Sequence, residues 1–235
     1  VQDPIANGYD TICEATSGNM GVSFAWLAAS MGLKCVIVMP DNMSIERKKT
    51  LEFYGAELIE VPAGDFDGAI AYRDELCEKN GWFNCNQFGN KHNIEAHSFT
   101  TGQEILNWAV DNKREISAMV TGTGTGGTLM GCHQRIKPQF PNMKMVAVEP
   151  AESAVMSGGE PGLHGIQGIG DGSKFLVSMD NVDYIQQIST EDAKKRARQL
   201  ASSHGLFVGI SAGANILAAE KFIAQTKPEG DVVTF

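Results

Sequence analysis

The feature that most constrains the fold is an alternation of short β-branched segments with helical stretches. Along the 235 residues, eight segments rich in Val, Ile and other strand-forming residues recur, and helical patterns separate most of them. Such alternation is typical of βαβ units, which build a parallel sheet with helices on its faces. The predicted strands cover residues 11–14, 34–39, 57–61, 118–121, 143–148, 184–188, 206–210 and 231–235.

Residues that stop or cap helices mark the predicted helix ends. The helical stretches 20–31 and 44–54 are each followed by glycine, which adopts the left-handed turn that ends many helices. The stretch 191–203 follows Thr190, a predicted N-cap, and has two acids in its first turn. Residues 149–179 show no regular pattern, and a loop of that length inside a domain is usually functional.

Composition excludes several classes of function. The net charge of -9 disfavours nucleic acid, and the basic runs 47–49 and 194–196 are interspersed with acids at helical spacing. No apolar run reaches the roughly 20 residues of a membrane span. The five cysteines lack a C-x-x-C pair and the five histidines lack metal-ligand spacing, which predicts neither disulfides nor a metal site. We therefore expect a soluble, cytoplasmic protein without nucleic-acid or membrane partners.

The glycine-rich run VTGTGTGGT at residues 120–128 is the strongest local signal for chemistry. It follows a predicted strand and precedes a helix that begins near Leu129. Glycines let the backbone approach a ligand, and free amides at a helix start attract an anion. Thr125 and Thr128 could add hydroxyl donors. The run therefore predicts a phosphate site.

The same run also matches a dinucleotide-binding pattern. Gly122, Gly124 and Gly127 fit G-x-G-x-x-G, and Glu149 lies at a predicted strand end 22 residues after Gly127. Taken alone, this loop favours a nicotinamide-dependent dehydrogenase. The other motifs of the chain favour a different class of enzyme.

A second loop, the carboxylate loop at residues 15–21, also joins a predicted strand to a helix. It places Thr16, Ser17 and Asn19 at a helix start, where backbone amides could receive a substrate carboxylate and Asn19 could donate to a cofactor oxygen. A simple N-cap is the alternative interpretation of these residues.

Further motifs occur in one order along nearly the whole chain: TSGNMG at 16–21, MPDNMSIER at 39–47, GAEL at 55–58, NQFGN at 86–90, the phosphate loop, HGIQGIG at 164–170 and GISAG at 209–213. Together they resemble the cysteine synthase, or O-acetylserine sulfhydrylase, family of fold-type II pyridoxal-phosphate enzymes. The resemblance implies a two-lobed, tryptophan synthase β-like α/β fold with parallel sheets flanked by helices and the cofactor in the cleft. It places a smaller lobe near residues 20–130, and gives 1–19 and 131–235 to a larger lobe. A lobe boundary near 83–90 is an alternative.

The resemblance also implies roles for individual residues. The cofactor-binding set is Asn19 for the ring hydroxyl, Ser211 for the pyridine nitrogen, and Gly124, Thr125, Gly126, Gly127 and Thr128 for the phosphate. The substrate-binding set is Thr16, Ser17 and Gln87 for the amino-acid carboxylate, with Gly168 lining the site. A neutral hydroxyl at the pyridine nitrogen gives moderate electron withdrawal, which suits elimination from the β-carbon.

The implied reaction is a β-replacement in which O-acetylserine, or a related activated serine, loses acetate and sulfide takes its place to give L-cysteine. The family implies a homodimer and serine acetyltransferase as a possible partner. The alternatives are a cystathionine β-synthase-like enzyme, a non-catalytic member that acts as a binding module, and the dehydrogenase.

Two features depart from the family pattern. Met20 stands where the family usually has Thr, which puts the substrate preference in question. None of the 13 lysines matches the family's Schiff-base lysine, which precedes the carboxylate loop. We expect that lysine to lie in a segment outside this chain, with both ends truncated, so that the 235 residues alone are inactive and expose sheet edges.

Overall fold

Two four-stranded parallel sheets organise the chain. The computed structural model describes residues 4–16 and 18–235, and their contacts divide them into a first unit that ends at Asn90 and a second unit from Lys91 to Phe235. Each unit contains one of the sheets. The predicted fold class, parallel sheets flanked by helices, is confirmed.

The first unit has the strand order β3-β2-β1-β4, and every neighbouring pair is parallel. Residues of β1 are all buried, because helices cover both faces of the sheet and pack on separate apolar clusters. The elements are β1 (Thr11–Ala15), α1 (Asn19–Met31), β2 (Lys34–Pro40), α2 (Ile45–Phe53), β3 (Glu57–Val61), α3 (Phe66–Asn80) and β4 (Phe83–Asn84).

The second unit has the strand order β7-β6-β5-β8, again with parallel neighbours. Its sheet separates two buried apolar clusters. The elements are α4 (His92–Phe99), α5 (Thr101–Asp111), β5 (Ile116–Gly122), α6 (Gly127–Ile136), β6 (Lys144–Pro150), β7 (Tyr184–Ile188), α7 (Thr190–His204), α8 (Ile210–Thr226) and β8 (Asp231–Thr234).

Two local predictions are wrong. Residues 206–210 were predicted as a strand, but 205–209 have no regular structure and α8 begins at Ile210. Phe207 is 97% exposed, so this short apolar run does not enter the core. The N-cap of α7 is Ser189, whose hydroxyl accepts from the Asp192 amide at 3.2 Å, whereas Thr190 is the first helical residue.

The assignment of residues 20–130 to a smaller lobe stays a prediction. The strands before Asn90 belong to one sheet and those after it to the other, so the boundary between the two units along the chain falls at the end of the 83–90 segment. No helix in the described part of the chain is long and apolar enough to cross a membrane.

Candidate functional site

The glycine-rich loop of the second unit connects the carboxyl end of β5 to the first turn of α6. The Met130 amide donates to the Gly126 carbonyl at 3.0 Å, which begins the bonding of that helix. Helix geometry leaves the amides before Met130 without partners inside the helix, and they carry the positive end of its dipole. The loop therefore has the geometry of an anion site.

A neighbouring segment, residues 168–177, packs against this loop so closely that side chains would not fit. A Cβ atom at Gly124 would lie 2.7 Å from the Gly168 carbonyl oxygen. Gly126 has φ +88°, and its Cβ would lie 2.5 Å from Cγ2 of Val177. The Leu176 amide also donates to the Thr125 carbonyl at 3.0 Å. Glycines are thus required here by both contact and backbone conformation.

Thr125 is oriented by donors on both sides. Its Oγ1 accepts from Asn93 Nδ2 at 3.0 Å and from the Gly127 amide at 3.3 Å. A hydroxyl oxygen with both acceptor positions used still has its hydrogen to donate. Thr125 can therefore donate to an anion held by the loop. Sequence reasoning missed Asn93, because an Asn near a helix start also suits a simple cap.

Thr128 contacts a half-buried histidine. His97 Nε2 lies 3.3 Å from Thr128 Oγ1, and His97 Nδ1 lies 3.1 Å from Thr101 Oγ1. Burial lowers the pKa of His97, which favours the neutral imidazole at neutral pH. A tautomer with hydrogen on Nε2 donates to Thr128 and leaves the threonine hydrogen for an anion.

The second turn of α8 is hydrogen-bonded to the start of the glycine-rich loop. Asn215 Oδ1 accepts from the Gly122 amide at 2.7 Å, and Asn215 Nδ2 donates to the Phe235 carbonyl at 3.1 Å. Ser211 lies one turn before Asn215 and is half-buried. The structure thereby connects the helix that contains Ser211 with the loop. Asn215 was not singled out in the sequence.

The predicted ribose-binding acid of the dehydrogenase alternative has another role. Glu149 is 1% exposed, and its carboxylate accepts from the amides of Met156 at 2.7 Å and Ser157 at 3.2 Å. These contacts fix the turn after β6. The carboxylate is therefore engaged within the fold, which removes the feature that favoured a dinucleotide.

The first unit contains the predicted carboxylate loop. The Thr16 amide donates to the Val38 carbonyl at 3.0 Å, and Thr16 Oγ1 accepts from the Gly18 amide at 3.2 Å. Gly18 is the N-cap residue of α1, and Asn19 is its first helical residue. Ser17 lies outside the described residues. The start of α1 is thus a helix N-terminus at the carboxyl end of a strand, as predicted.

Gln87 lies against the same end of β1. Its amide donates to Glu14 Oε2 at 2.8 Å, and its Nε2 donates to the Ala15 carbonyl at 3.1 Å. The residue is 9% exposed. The structure therefore brings Gln87 beside the peptide that leads into Thr16. Sequence reasoning missed Glu14, although it directly precedes the loop.

Comparison with known proteins decides the family. The family model described as pyridoxal-phosphate dependent enzyme matches residues 2–235. The chain belongs to this family. It is similar to a cysteine synthase of Staphylococcus aureus, with 43% identity over 214 residues that cover 89% of this chain and 68% of that protein.

Similarity to solved structures supports the same family assignment. The chain is similar to a hydrogen sulfide-producing enzyme from Fusobacterium nucleatum, with TM-score 0.92, 37% identity, and coverage of 98% of this chain and 71% of that one. It is also similar to the cysteine synthase of Entamoeba histolytica, with TM-score 0.88, 36% identity, and coverage of 98% and 70%. The cofactor of this pyridoxal-phosphate-dependent enzyme is pyridoxal phosphate.

The glycine-rich loop fits the phosphate of that cofactor. Its donors are backbone amides at the α6 N-terminus and the Thr125 hydroxyl, and they match the acceptor-rich chemistry of a phosphate. The tight contacts of Gly124 and Gly126 leave only backbone on the side that faces residues 168–177. A phosphate monoester is therefore compatible with the residues present.

Proposed function

We propose that the protein catalyses a β-replacement that forms L-cysteine from O-acetylserine, or a related activated serine, and sulfide. The observation that carries this proposal is the glycine-rich loop at the α6 N-terminus, oriented by Asn93 and closed in by residues 168–177. The similarity to cysteine synthases specifies the reaction class.

In this proposal the phosphate is held by Gly124, Thr125, Gly126, Gly127 and Thr128. Ser211 faces the pyridine nitrogen and Asn19 the ring hydroxyl, while Thr16, Ser17 and Gln87 bind the amino-acid carboxylate and Gly168 lines the site. Pyridoxal phosphate supplies an electron sink when the α-proton leaves. The hydroxyl of Ser211 is a neutral partner, which keeps electron withdrawal moderate.

We further propose that the enzyme is a cytoplasmic homodimer that binds serine acetyltransferase, as the family resemblance implies. This proposal is based on the similarity to cysteine synthases. Sedimentation of the purified protein, alone and with serine acetyltransferase, measures both associations. A monomer that does not bind the acetyltransferase contradicts this part of the proposal.

The enzymatic proposal is tested with protein made from its complete reading frame and loaded with pyridoxal phosphate. With O-acetylserine and sulfide we expect cysteine formation that requires both substrates. Sulfide release from cysteine is measured in parallel, because one similar structure is a hydrogen sulfide-producing enzyme. Cofactor-loaded protein that forms no cysteine from any activated serine contradicts the proposal.

Met20→Thr is expected to change the ranking of O-acetylserine, O-phosphoserine and serine as substrates. Met20 is the second residue of α1 and is 39% exposed, so a threonine there would add a hydroxyl beside the carboxylate loop. The measurement is kcat/KM for each donor. Met31→Thr, at the other end of the same helix and 42% exposed, is the matched control. An unchanged ranking in Met20→Thr would assign Met20 to packing.

A further inference from the structure

A buried ion pair supports the carboxyl end of β1. Glu14 and Arg73 are each 1% exposed, and Nη1 of Arg73, on helix α3, donates to Glu14 Oε1. Removing two charges from water is unfavourable, and apolar residues of similar volume often replace such a pair without loss of stability. The pair therefore invites an explanation beyond stability.

The contacts of Glu14 lead to the carboxylate loop. Its Oε1 also accepts from the Ala15 amide at 2.8 Å, and its Oε2 accepts from the Gln87 amide at 2.8 Å. Gln87 Nε2 returns to the Ala15 carbonyl at 3.1 Å. One carboxylate thus fixes both Gln87 and the peptide that precedes Thr16.

The segment that Glu14 holds has few constraints from the sheet. β4 consists only of Phe83–Asn84, and Asn86 has φ +46°, a left-handed conformation that is uncommon outside glycine. Gln87 follows directly. A fixed acceptor for its amide therefore sets the direction in which the chain leaves the sheet.

Arg73 holds the Glu14 carboxylate in place and is itself anchored by a second carboxylate. Its Nε donates to Asp74 Oδ1 at 2.8 Å, and the same oxygen accepts from Asn84 Nδ2 at 2.7 Å. Burial raises the pKa of Glu14, whereas Arg73 and the amides of Ala15 and Gln87 oppose that rise. The guanidinium would also limit repulsion between Glu14 and a carboxylate bound at the Thr16 loop.

We propose that Glu14, paired with Arg73, is a positioning residue that orients Gln87 and the Ala15–Thr16 peptide to bind the carboxylate of the amino-acid substrate. This inference rests on the proposed role of Gln87 and Thr16 in the function above. It predicts that the pair controls recognition of the carboxylate and has little effect on the amine or hydroxyl of the substrate.

The test replaces both charges together with Glu14→Leu and Arg73→Leu, which leaves no unpaired ion. Calorimetric titration of the cofactor-loaded protein with L-serine and with ethanolamine, which lacks the carboxylate, separates the two contributions. We expect the affinity for serine to fall about tenfold or more, as for loss of an oriented hydrogen bond to a charged group, and that for ethanolamine to stay unchanged. The KM for O-acetylserine should rise while the KM for sulfide does not.

A matched control replaces the ion pair between Lys48 and Glu60, whose side chains are 16% and 45% exposed, in the same unit. Lys48→Leu with Glu60→Leu should leave both affinities unchanged. If the buried double variant does not fold, Glu14→Asp provides the same test, because it keeps the charge but withdraws the acceptor from the Gln87 amide.

Two results would overturn the inference. One is a folded variant with the parental affinity for serine, and the other is an equal loss of affinity for serine and ethanolamine. The proposed function fails separately, when the parent forms no cysteine. The parent protein could form no cysteine and still bind serine more tightly than ethanolamine. Loss of that preference in the double variant would then still support the positioning role of Glu14.

Discussion

Gly126→Ala is expected to weaken pyridoxal-phosphate binding by about a hundredfold. Alanine at φ +88° is strained by about 1–2 kcal/mol, and its Cβ would lie 2.5 Å from Cγ2 and 3.0 Å from the amide nitrogen of Val177. Overpacking adds typically 1–3 kcal/mol. The loop can relieve this strain only by leaving its phosphate-binding conformation, so roughly 3 kcal/mol is lost from cofactor affinity, which corresponds to about a hundredfold.

The matched control for this substitution is Gly158→Ala. Gly158 has φ +86°, nearly the angle of Gly126, but a Cβ there would meet nothing within 4 Å. The control therefore has the backbone strain without the contact to Val177. We expect it to lose about 1–2 kcal/mol of folding stability and to keep its cofactor affinity. Titration with pyridoxal phosphate, followed by absorbance, measures both variants, and equal weakening would contradict the role assigned to the loop.

The fold was predictable where local patterns coincide with burial. The strands at 34–39 and 143–148 are apolar runs that end up in the middle of sheets, and the structure has β2 and β6 there. The run at 206–210 has a similar composition, but it follows the left-handed Gly205 and its last residue begins α8. Composition alone does not distinguish a short buried strand from an exposed connection.

The candidate site was predictable only in part, for a related reason. The phosphate loop is encoded by consecutive glycines and threonines, so its position follows from local sequence. Asn93 reaches Thr125 across 32 positions, and Arg73 reaches Glu14 across 59. Such pairs depend on how helices pack on sheets. A periodic pattern in one sequence does not reveal such long-range pairs. A local motif can also mislead, as the match of Glu149 to a dinucleotide fingerprint shows.

Arg73→Met is expected to destabilise the protein by about 3–5 kcal/mol at neutral and higher pH. The substitution keeps an apolar chain in the space of Arg73 but leaves the Glu14 carboxylate buried without its counter-ion. Urea denaturation measures the loss. Arg114→Met is the control, because Arg114 pairs with Asp231 at the surface, where its side chain is 54% exposed and the pair is worth less than about 1 kcal/mol.

The pH dependence distinguishes an unpaired charge from a simple packing defect. Burial already raises the pKa of Glu14 in the folded protein, and removal of Arg73 takes away the largest opposing contribution. A carboxyl whose folded pKa exceeds its unfolded pKa stabilises the fold at low pH and loses that contribution as the pH rises through the folded pKa. The stability gap between parent and Arg73→Met should therefore be smaller at about pH 5 than at about pH 8. Adding Glu14→Leu should close most of the gap at the higher pH, since no buried charge remains. A gap that is independent of pH and persists in the double variant would mean that Arg73 acts through packing alone.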